Sequence, residues 1–279
     1  MFERIGRSFE LVKTSWNILM DDKKLLVFPV LSGIITILVI LSFVLPLFVA
    51  GSFLNTTGLL FYGILFLYYV VSYFVVIFFN TALISCVSAR LNGKDMTVRE
   101  GLSGSARHIP AIFGWALISA TIGLILHILE ERSGLVGQIV LSIIGGVWSL
   151  VTYFVVPVLI LEDKGVIGSV KESFSLIRKT WGESIIGSVS IVLIFVAVGV
   201  VGLLCVLATM FLGNMLVSAA AVILFLLLVV VLAVLYSAMQ GIYVTALYTY
   251  ARTGSVPAAF SRELIQNAFV PKQAGPGNI

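Results

Sequence analysis

Charged side chains are scarce in this sequence. Asp, Glu, Lys and Arg make up only 11% of its 279 residues, against about 25% in ordinary soluble domains. A soluble protein of this size needs a polar shell around its core, and so few charges cannot supply one. Since 60% of the residues are hydrophobic, the composition excludes a soluble enzyme, a disordered regulator and a disulfide-rich secreted domain. It indicates a helical membrane protein that crosses the bilayer several times.

Residues that carry chemistry are scarce too. The chain has two His and two Cys, and neither Cys86 nor Cys205 belongs to a Cys-x-x-Cys motif. Two His cannot build a His-rich metal site, and no metalloprotease, nucleophile-elbow or P-loop motif occurs. The middle of each predicted span also lacks Asp, Glu, Lys and Arg, which argues against pumps, proton-coupled carriers and voltage sensors. We therefore predict no catalytic residue, no metal site and no cofactor, and we expect that the protein is not an enzyme.

The sequence does contain six long apolar runs. Each is long enough to supply the roughly 20 residues that a membrane-spanning helix needs, and none shows the alternating polarity of a β-barrel strand. Pro157 is expected to kink the inner end of the fourth run. The predicted spans are about Leu25–Val49, Leu59–Ser88, Pro110–Leu129, Leu135–Leu161, Ile185–Leu212 and Met215–Tyr250.

The basic residues lie on one side of these spans. Every Lys and Arg except Arg132 falls before span one, between spans two and three, between spans four and five, or after span six. The positive-inside rule therefore predicts that both termini are cytoplasmic, and an even number of spans agrees with this. We expect a multi-pass protein of the cytoplasmic (inner or plasma) membrane.

A short motif occurs twice, as Ser-Phe-Glu-Leu-Val-Lys-Thr-Ser-Trp at residues 8–16 and as Ser-Phe-Ser-Leu-Ile-Arg-Lys-Thr-Trp at residues 173–181. A second, weaker sequence similarity relates Val-Arg-Glu-Gly-Leu at residues 98–102 to Val-Lys-Glu-Ser-Phe at residues 170–174. Each segment precedes a pair of spans, so we predict three tandem units, each a short cytoplasmic amphipathic helix followed by a transmembrane hairpin. The units would be residues 1–88, 97–161 and 167–252 of a single all-α integral membrane domain at 1–252, with a partly flexible cytoplasmic tail at 253–279.

The amphipathic segments form the first candidate functional surface. Apolar residues recur at steps of three and four near the N-terminus and again at Ile167, Val170, Phe174, Ile177 and Trp181, which indicates one helical stripe. Such a helix either lies among lipid headgroups with its bases on anionic lipid, or packs on the spans as a plain connector. The candidate lipid or partner surface is Arg4, Arg7, Lys13, Trp16, Arg99, Arg107, Lys171, Arg178 and Trp181.

Uncharged polar residues inside the even-numbered spans are the second candidate. An amide or hydroxyl in hydrocarbon must find a partner, so these groups either bond between helices or line a polar path. Interhelical bonds are the favoured interpretation, and a pore stays open as the other. The candidate lining is Asn80, Thr81, Ser85, Thr152, Gln240 and Thr245.

Three features resemble a widespread, uncharacterised family of prokaryotic six-span membrane proteins: the helix from Arg4 to Trp16, the Lys24-Leu25-Leu26-Val27-Phe28-Pro29 start of span one, and the echo from Ser173 to Trp181. The chain is also distantly similar to the membrane domain attached to some glycerophosphodiester phosphodiesterases, whose catalytic domain has no counterpart here. The resemblance covers most of the chain, to about Arg252, and its motifs are structural. It implies a prokaryotic cytoplasmic membrane and carries over no catalytic residue.

Three functions are compatible with these features. The favoured one is a membrane-organising or accessory protein whose amphipathic helices bind anionic lipid headgroups or a cytoplasmic protein. The first alternative is a passive oligomeric channel or facilitator for ions or small solutes, and the second is an intramembrane enzyme. We expect membrane lipids as partners, a homo-oligomer, and no nucleic acid.

Overall fold

The computed structural model describes residues 13–49, 58–180, 184–211 and 214–254. Within these residues every regular element is helical, and no strand occurs. Residues 13–21 form α1, and a 3-10 turn follows at Lys23–Leu26. The other helices are α2 (Val27–Val49), α3 (Leu59–Leu91), α4 (Val98–Arg107), α5 (Ile109–Glu131), α6 (Leu135–Val151), α7 (Val155–Leu161), α8 (Val166–Thr180), α9 (Ser184–Met210) and α10 (Met215–Thr253).

Within the described residues, six segments are long and apolar enough to cross a membrane, which confirms the predicted all-α fold with six candidate spans. One short helix precedes each pair of spans: α1 lies before spans one and two, α4 before spans three and four, and α8 before spans five and six. The candidate spans are Lys23–Pro46, Leu60–Leu91, Ile109–Glu131, Leu135–Leu161, Ile191–Met210 and Met215–Thr253.

The contacts divide the chain into two compact units. One contains residues 27–179, and the other contains residues 1–26 and 180–279. The prediction of one membrane domain built from three repeated units stays a prediction. The tail after residue 254 lies outside the described residues.

The 27–179 unit has an apolar core on α3, α5 and α7. Its buried residues are Ile77, Ile112, Trp115, Ala116, Val155 and Leu159. Val166 and Val170 pack against this core, so the hydrophobic effect fixes the inner face of α8 to α3, α5 and α7. Trp148 on α6 adds a ring contact to Trp115, with centroids 5.9 Å apart.

The fourth span is broken into α6 and α7 by a turn at residues 152–154. Pro157 has no N–H to donate, and its ring would collide with the carbonyl of Tyr153, four positions earlier. The amides of Tyr153 and Val155 therefore bond only three residues back, to the carbonyls of Leu150 and Thr152 at 3.1 and 3.0 Å. The expected kink is thus a complete interruption of the helix, one turn before the proline.

The other unit pairs α9 with α10. Gly202 lets the two helices approach, because a Cβ at that position would lie 2.9 Å from Leu228 Cδ2 and 3.0 Å from Phe225 Cδ2. The Phe195 and Tyr236 rings meet edge to face with centroids 5.7 Å apart. Close approach at small residues is the usual packing mode of membrane helices.

Candidate membrane-surface site

Helix α8 has a buried face and an exposed face of unusual composition. Ile167 and Phe174 are 69% and 48% exposed, and the basic residues Lys171 and Arg178 are exposed beside them. The four follow one another at steps of four, three and four, so they share one side of the helix. An aromatic ring, an aliphatic side chain and two bases therefore form one surface, which we call the α8 stripe.

The opposite face of α8 is buried. Ser169, Ser173, Leu176 and Ile177 are each at most 7% exposed. The predicted apolar stripe is thus divided between two environments: Ile177 and Val170 face inward, whereas Ile167 and Phe174 face outward. Trp181 lies outside the described residues. The buried face packs on the spans, as the connector interpretation expects, whereas lipid binding by the exposed face stays a prediction.

Ser173 joins α8 to the break in span four. A continuous helix would pair the Val151 carbonyl with Val155 and the Phe154 amide with Leu150, and the turn breaks both pairs. The Ser173 hydroxyl donates to the Val151 carbonyl at 2.6 Å and accepts from the Phe154 amide at 3.0 Å. Since Ser173 and Phe154 are fully buried, this bridge replaces hydrogen bonds that water cannot supply.

An ion cluster fixes the start of α8. The Lys164 ammonium lies 2.7 Å from the Glu162 carboxylate and 2.9 Å from the Glu172 carboxylate. Hydrogen bonds to Glu162 first and then to Glu172 raise the pKa of Lys164, so the ammonium stays charged throughout the physiological range. Lys164 thereby ties the end of α7 to the second turn of α8.

His108 adds a contact between the α4–α5 joint and the same loop. Its Nδ1 lies 2.8 Å from the Gly104 carbonyl, and its Nε2 lies 3.3 Å from the Asp163 carboxylate. The ring thereby bridges the α4 backbone and the loop between α7 and α8. The side chain of Asp163 is largely exposed, and its backbone has a left-handed φ of 50°.

Helix α1 resembles α8 in having one buried and one exposed face. Ser15, Ile18 and Leu19 are buried, while Trp16 is 39% exposed and Lys13 is exposed. The exposed pair again combines an aromatic ring with a base. Arg4 and Arg7 of the predicted surface lie outside the described residues.

Helix α4 is different. Its exposed residues are Arg99, Glu100, Ser103, Ala106 and Arg107, so none of them is a large apolar side chain. It packs on α3 through Gly101, where a Cβ would lie 2.6 Å from Cys86 Sγ, 3.0 Å from Phe28 Cζ and 3.2 Å from the Ala82 carbonyl oxygen. Arg99 and Arg107 are thus basic positions without the apolar partner that lipid insertion needs.

A capping box fixes the start of α4. The Thr97 hydroxyl accepts from the Glu100 amide at 3.2 Å, and the Glu100 carboxylate accepts from the Thr97 amide at 2.7 Å. Both bonds belong to the pattern that satisfies free amides at a helix N-terminus. The hydrogen bonds from Thr97 lower the pKa of the exposed Glu100 carboxyl.

The six predicted lining residues fall into both units, so they form no common site within either one. Ser85, Thr152 and Thr245 donate their hydroxyls to carbonyls four residues earlier in their own helices, at 3.0, 2.8 and 2.7 Å. Thr81 is fully buried, and its hydroxyl has no hydrogen-bond partner among the described residues. Asn80 and Gln240 are half-buried.

A family model described as a family of unknown function, DUF6159, matches residues 59–258. The chain belongs to this family. The matched segment begins at α3 and includes α4, α8 and the last five candidate spans. No curated protein and no solved structure matches the chain. The expectation of a family without a known function is confirmed, whereas the distant resemblance to phosphodiesterase membrane domains stays a prediction.

Two parts of this site were not predicted from the sequence. The signal for Ser173 was present, since it opens the repeated Ser-Phe-x-Leu motif, but nothing linked it to the backbone groups freed by Pro157. The Glu162–Lys164–Glu172 cluster lies at a predicted loop, and charges near a membrane surface carry no indication of their partners. In the described part of the chain no group of His, Cys, Asp and Glu is arranged to hold a metal ion.

Proposed function

We propose that this protein is a membrane-organising or accessory protein that binds anionic lipid headgroups through the α8 stripe, with α1 as a second contact. In this proposal both termini and the short helices lie on the cytoplasmic side of the cytoplasmic membrane. The proposal includes no catalytic step and no cofactor.

The exposure of Ile167 and Phe174 beside two bases supports the proposal best. A water-facing surface has no need of a half-exposed Phe and a largely exposed Ile on one stripe, whereas the headgroup layer accepts apolar side chains and attracts bases together. Each Lys or Arg near an anionic surface contributes about 1 kcal/mol. Lys171 and Arg178 are one turn from Phe174 on either side, so both bases reach the lipid surface when the ring inserts.

The anchorage of α8 supports the same role. Ser173 bonds the backbone of span four, and Val166 and Val170 pack on the apolar core. A helix held in this way keeps the α8 stripe at a fixed position. Since the helix is already ordered before lipid binds, each lipid contact costs less conformational entropy. The proposed partners are therefore membrane lipids with anionic headgroups. A homo-oligomer would present several copies of the α8 stripe to the same membrane surface.

The test compares lipid preference in full-length protein. Wild type is reconstituted in nanodiscs of phosphatidylcholine with about 30% phosphatidylglycerol, and native mass spectrometry measures the enrichment of retained phosphatidylglycerol. Lys171→Ala/Arg178→Ala should lower this enrichment about thirtyfold, because about 1 kcal/mol for each of the two bases amounts to about 2 kcal/mol. The matched control, Lys94→Ala/Arg132→Ala, removes two bases away from α8 and should change it less than twofold. Equal enrichment in all three proteins contradicts the proposal.

A passive channel is the alternative, and the buried Thr81 hydroxyl is the observation that favours it. A polar group without a partner among the described residues is costly in hydrocarbon unless a solute or water meets it. Ion flux through liposomes that contain the full-length protein tests this. Flux above that of empty vesicles, reduced by Thr81→Val and Asn80→Ala, would support a channel, and flux equal to that of empty vesicles would exclude it.

A further inference from the structure

An apolar cavity of about 290 Å³ lies between α2 and α3. Its lining residues recur at steps of three and four on each helix, so each helix contributes one stripe. The Phe43 and Tyr68 rings meet edge to face in its wall, with centroids 5.7 Å apart. The cavity is lined by Ile40, Phe43, Val44, Phe61, Ile64, Leu65 and Tyr68.

The cavity lies along the first turns of the candidate span Leu60–Leu91. Phe61 and Tyr68 are seven residues apart on a candidate span, which is about 10 Å along a helix and about a third of the hydrocarbon thickness. Ile40 and Val44 of the lining are partly exposed, and the exposed Ile37 and Leu41 lie next to them on the same helix. The lining is therefore continuous with the exposed apolar surface of α2, which faces lipid if α2 crosses the membrane.

We propose that this cavity binds one acyl chain of a bilayer phospholipid. Water does not suit it, because a buried water needs two to four polar partners and Tyr68 is the one lining residue with a polar side-chain group. A dry apolar cavity of about 150 Å³ already takes up benzene, and this one is larger. An acyl chain restores the dispersion contacts that the facing side chains otherwise lack. The site is separate from the α8 stripe and does not depend on it.

Photo-crosslinking tests the occupant. Full-length protein in nanodiscs receives a small fraction of phosphatidylglycerol that carries a diazirine near the end of one acyl chain, and mass spectrometry locates the adducts. Ile64 and Leu65 should carry at least fivefold more adducts than Leu67, which is 54% exposed on the same helix but does not line the cavity. Equal yields at the three positions would show ordinary contact with bulk lipid and overturn the proposal.

Two variants sharpen the result. Leu65→Trp fills the cavity and should reduce adducts at Ile64 to the Leu67 level, whereas the matched Leu67→Trp should leave them unchanged. If Leu65→Trp does not fold, the ratio of adducts at Ile64 and Leu65 to those at Leu67 in the wild-type protein still tests the proposal. The competing occupant is the connecting segment 50–57, so efficient disulfide formation in Phe53→Cys/Leu65→Cys, together with absent lipid adducts at Ile64, would also overturn the proposal.

Discussion

Helices α4 and α8 are both short and amphipathic, and both lead into a pair of candidate spans, yet they use their surfaces differently. Helix α4 packs through Gly101 and exposes charged and small residues. Helix α8 packs through serines and aliphatic residues and exposes Ile167 and Phe174. Both helices are amphipathic, so amphipathicity alone does not distinguish them. In our proposal, exposed apolar side chains beside bases mark α8 as the lipid-binding surface.

The largest expected effect is on the serine bridge of α8. Ser173→Ala removes the hydrogen bonds that its hydroxyl makes with the Val151 carbonyl and the Phe154 amide, at about 1–3 kcal/mol for each group. We expect the free energy of unfolding in detergent to fall by about 3 kcal/mol. Ser105→Ala is the matched control on α4, because Ser105 is also fully buried but bonds only the carbonyl of its own helix at 3.3 Å. Ser105→Ala should lower the free energy of unfolding by less than about 1 kcal/mol. Equal losses in Ser173→Ala and Ser105→Ala would contradict a stabilising bridge at Ser173.

The next effect concerns the close packing of α4. Gly101→Ala places a Cβ 2.6 Å from Cys86 Sγ, and overpacking of this kind costs about 1–3 kcal/mol. We expect a net loss of about 2 kcal/mol in the same unfolding measurement. Gly104→Ala is the control, since its Cβ meets only Ser85 Oγ at 3.9 Å and the helix gains about 0.5–1 kcal/mol over glycine. Stabilisation by both changes would contradict close packing at Gly101.

A third prediction separates stability from lipid binding on α8. Phe174→Ala removes a ring that is 48% exposed and is not part of the core on α3, α5 and α7, so stability in detergent should change by less than about 0.5 kcal/mol. Enrichment of phosphatidylglycerol should nevertheless fall several-fold, because the ring no longer inserts. Leu176→Ala is the reverse control: Leu176 is buried, so about 2–5 kcal/mol of stability should be lost. A large stability loss in Phe174→Ala would show that the ring packs on protein.

The smallest effect is the pH dependence of the two helix starts. Thr97 lowers the pKa of Glu100, so this stabilisation of α4 is present above the unfolded pKa of about 4.3 and is lost as the pH falls through the lower folded pKa. Glu162 and Glu172 raise the pKa of Lys164, so that stabilisation of α8 is present below the unfolded pKa of about 10.4 and is lost as the pH rises through the higher folded pKa.

Amide hydrogen exchange, corrected for the intrinsic effect of pH, measures both helix starts. Alkaline conditions should loosen the first turn of α8 more than that of α4. Lys164→Met should remove the alkaline step at α8, and Glu100→Gln should remove the acid step at α4. Steps that persist in these variants would assign the pH dependence to other groups.

Much of the fold follows from the sequence, because a membrane span depends on one local property, the hydropathy of a continuous run of residues. Runs of apolar residues predicted all six candidate spans, and Pro157 marked the region where the fourth is broken. The periodicity of α8 predicted an amphipathic helix. It could not predict that Val170 would turn inward and Phe174 outward, because both satisfy the same spacing and only the shape of the core distinguishes them. The Ser173 bridge depends on residues about 20 positions apart, and no local pattern encodes such a contact.

The most direct test of the central claim is the environment of position 174 in a bilayer. A spin label is placed by Phe174→Cys, with Ala106→Cys on α4 as the partner position, in a Cys205→Ser background that retains the buried Cys86. Collisional accessibility to oxygen and to a water-soluble nickel complex is measured in nanodiscs with and without phosphatidylglycerol. The account predicts that position 174 is protected from nickel and exposed to oxygen, more strongly with the anionic lipid, while position 106 remains accessible to nickel. Equal accessibility to nickel at both positions would contradict it.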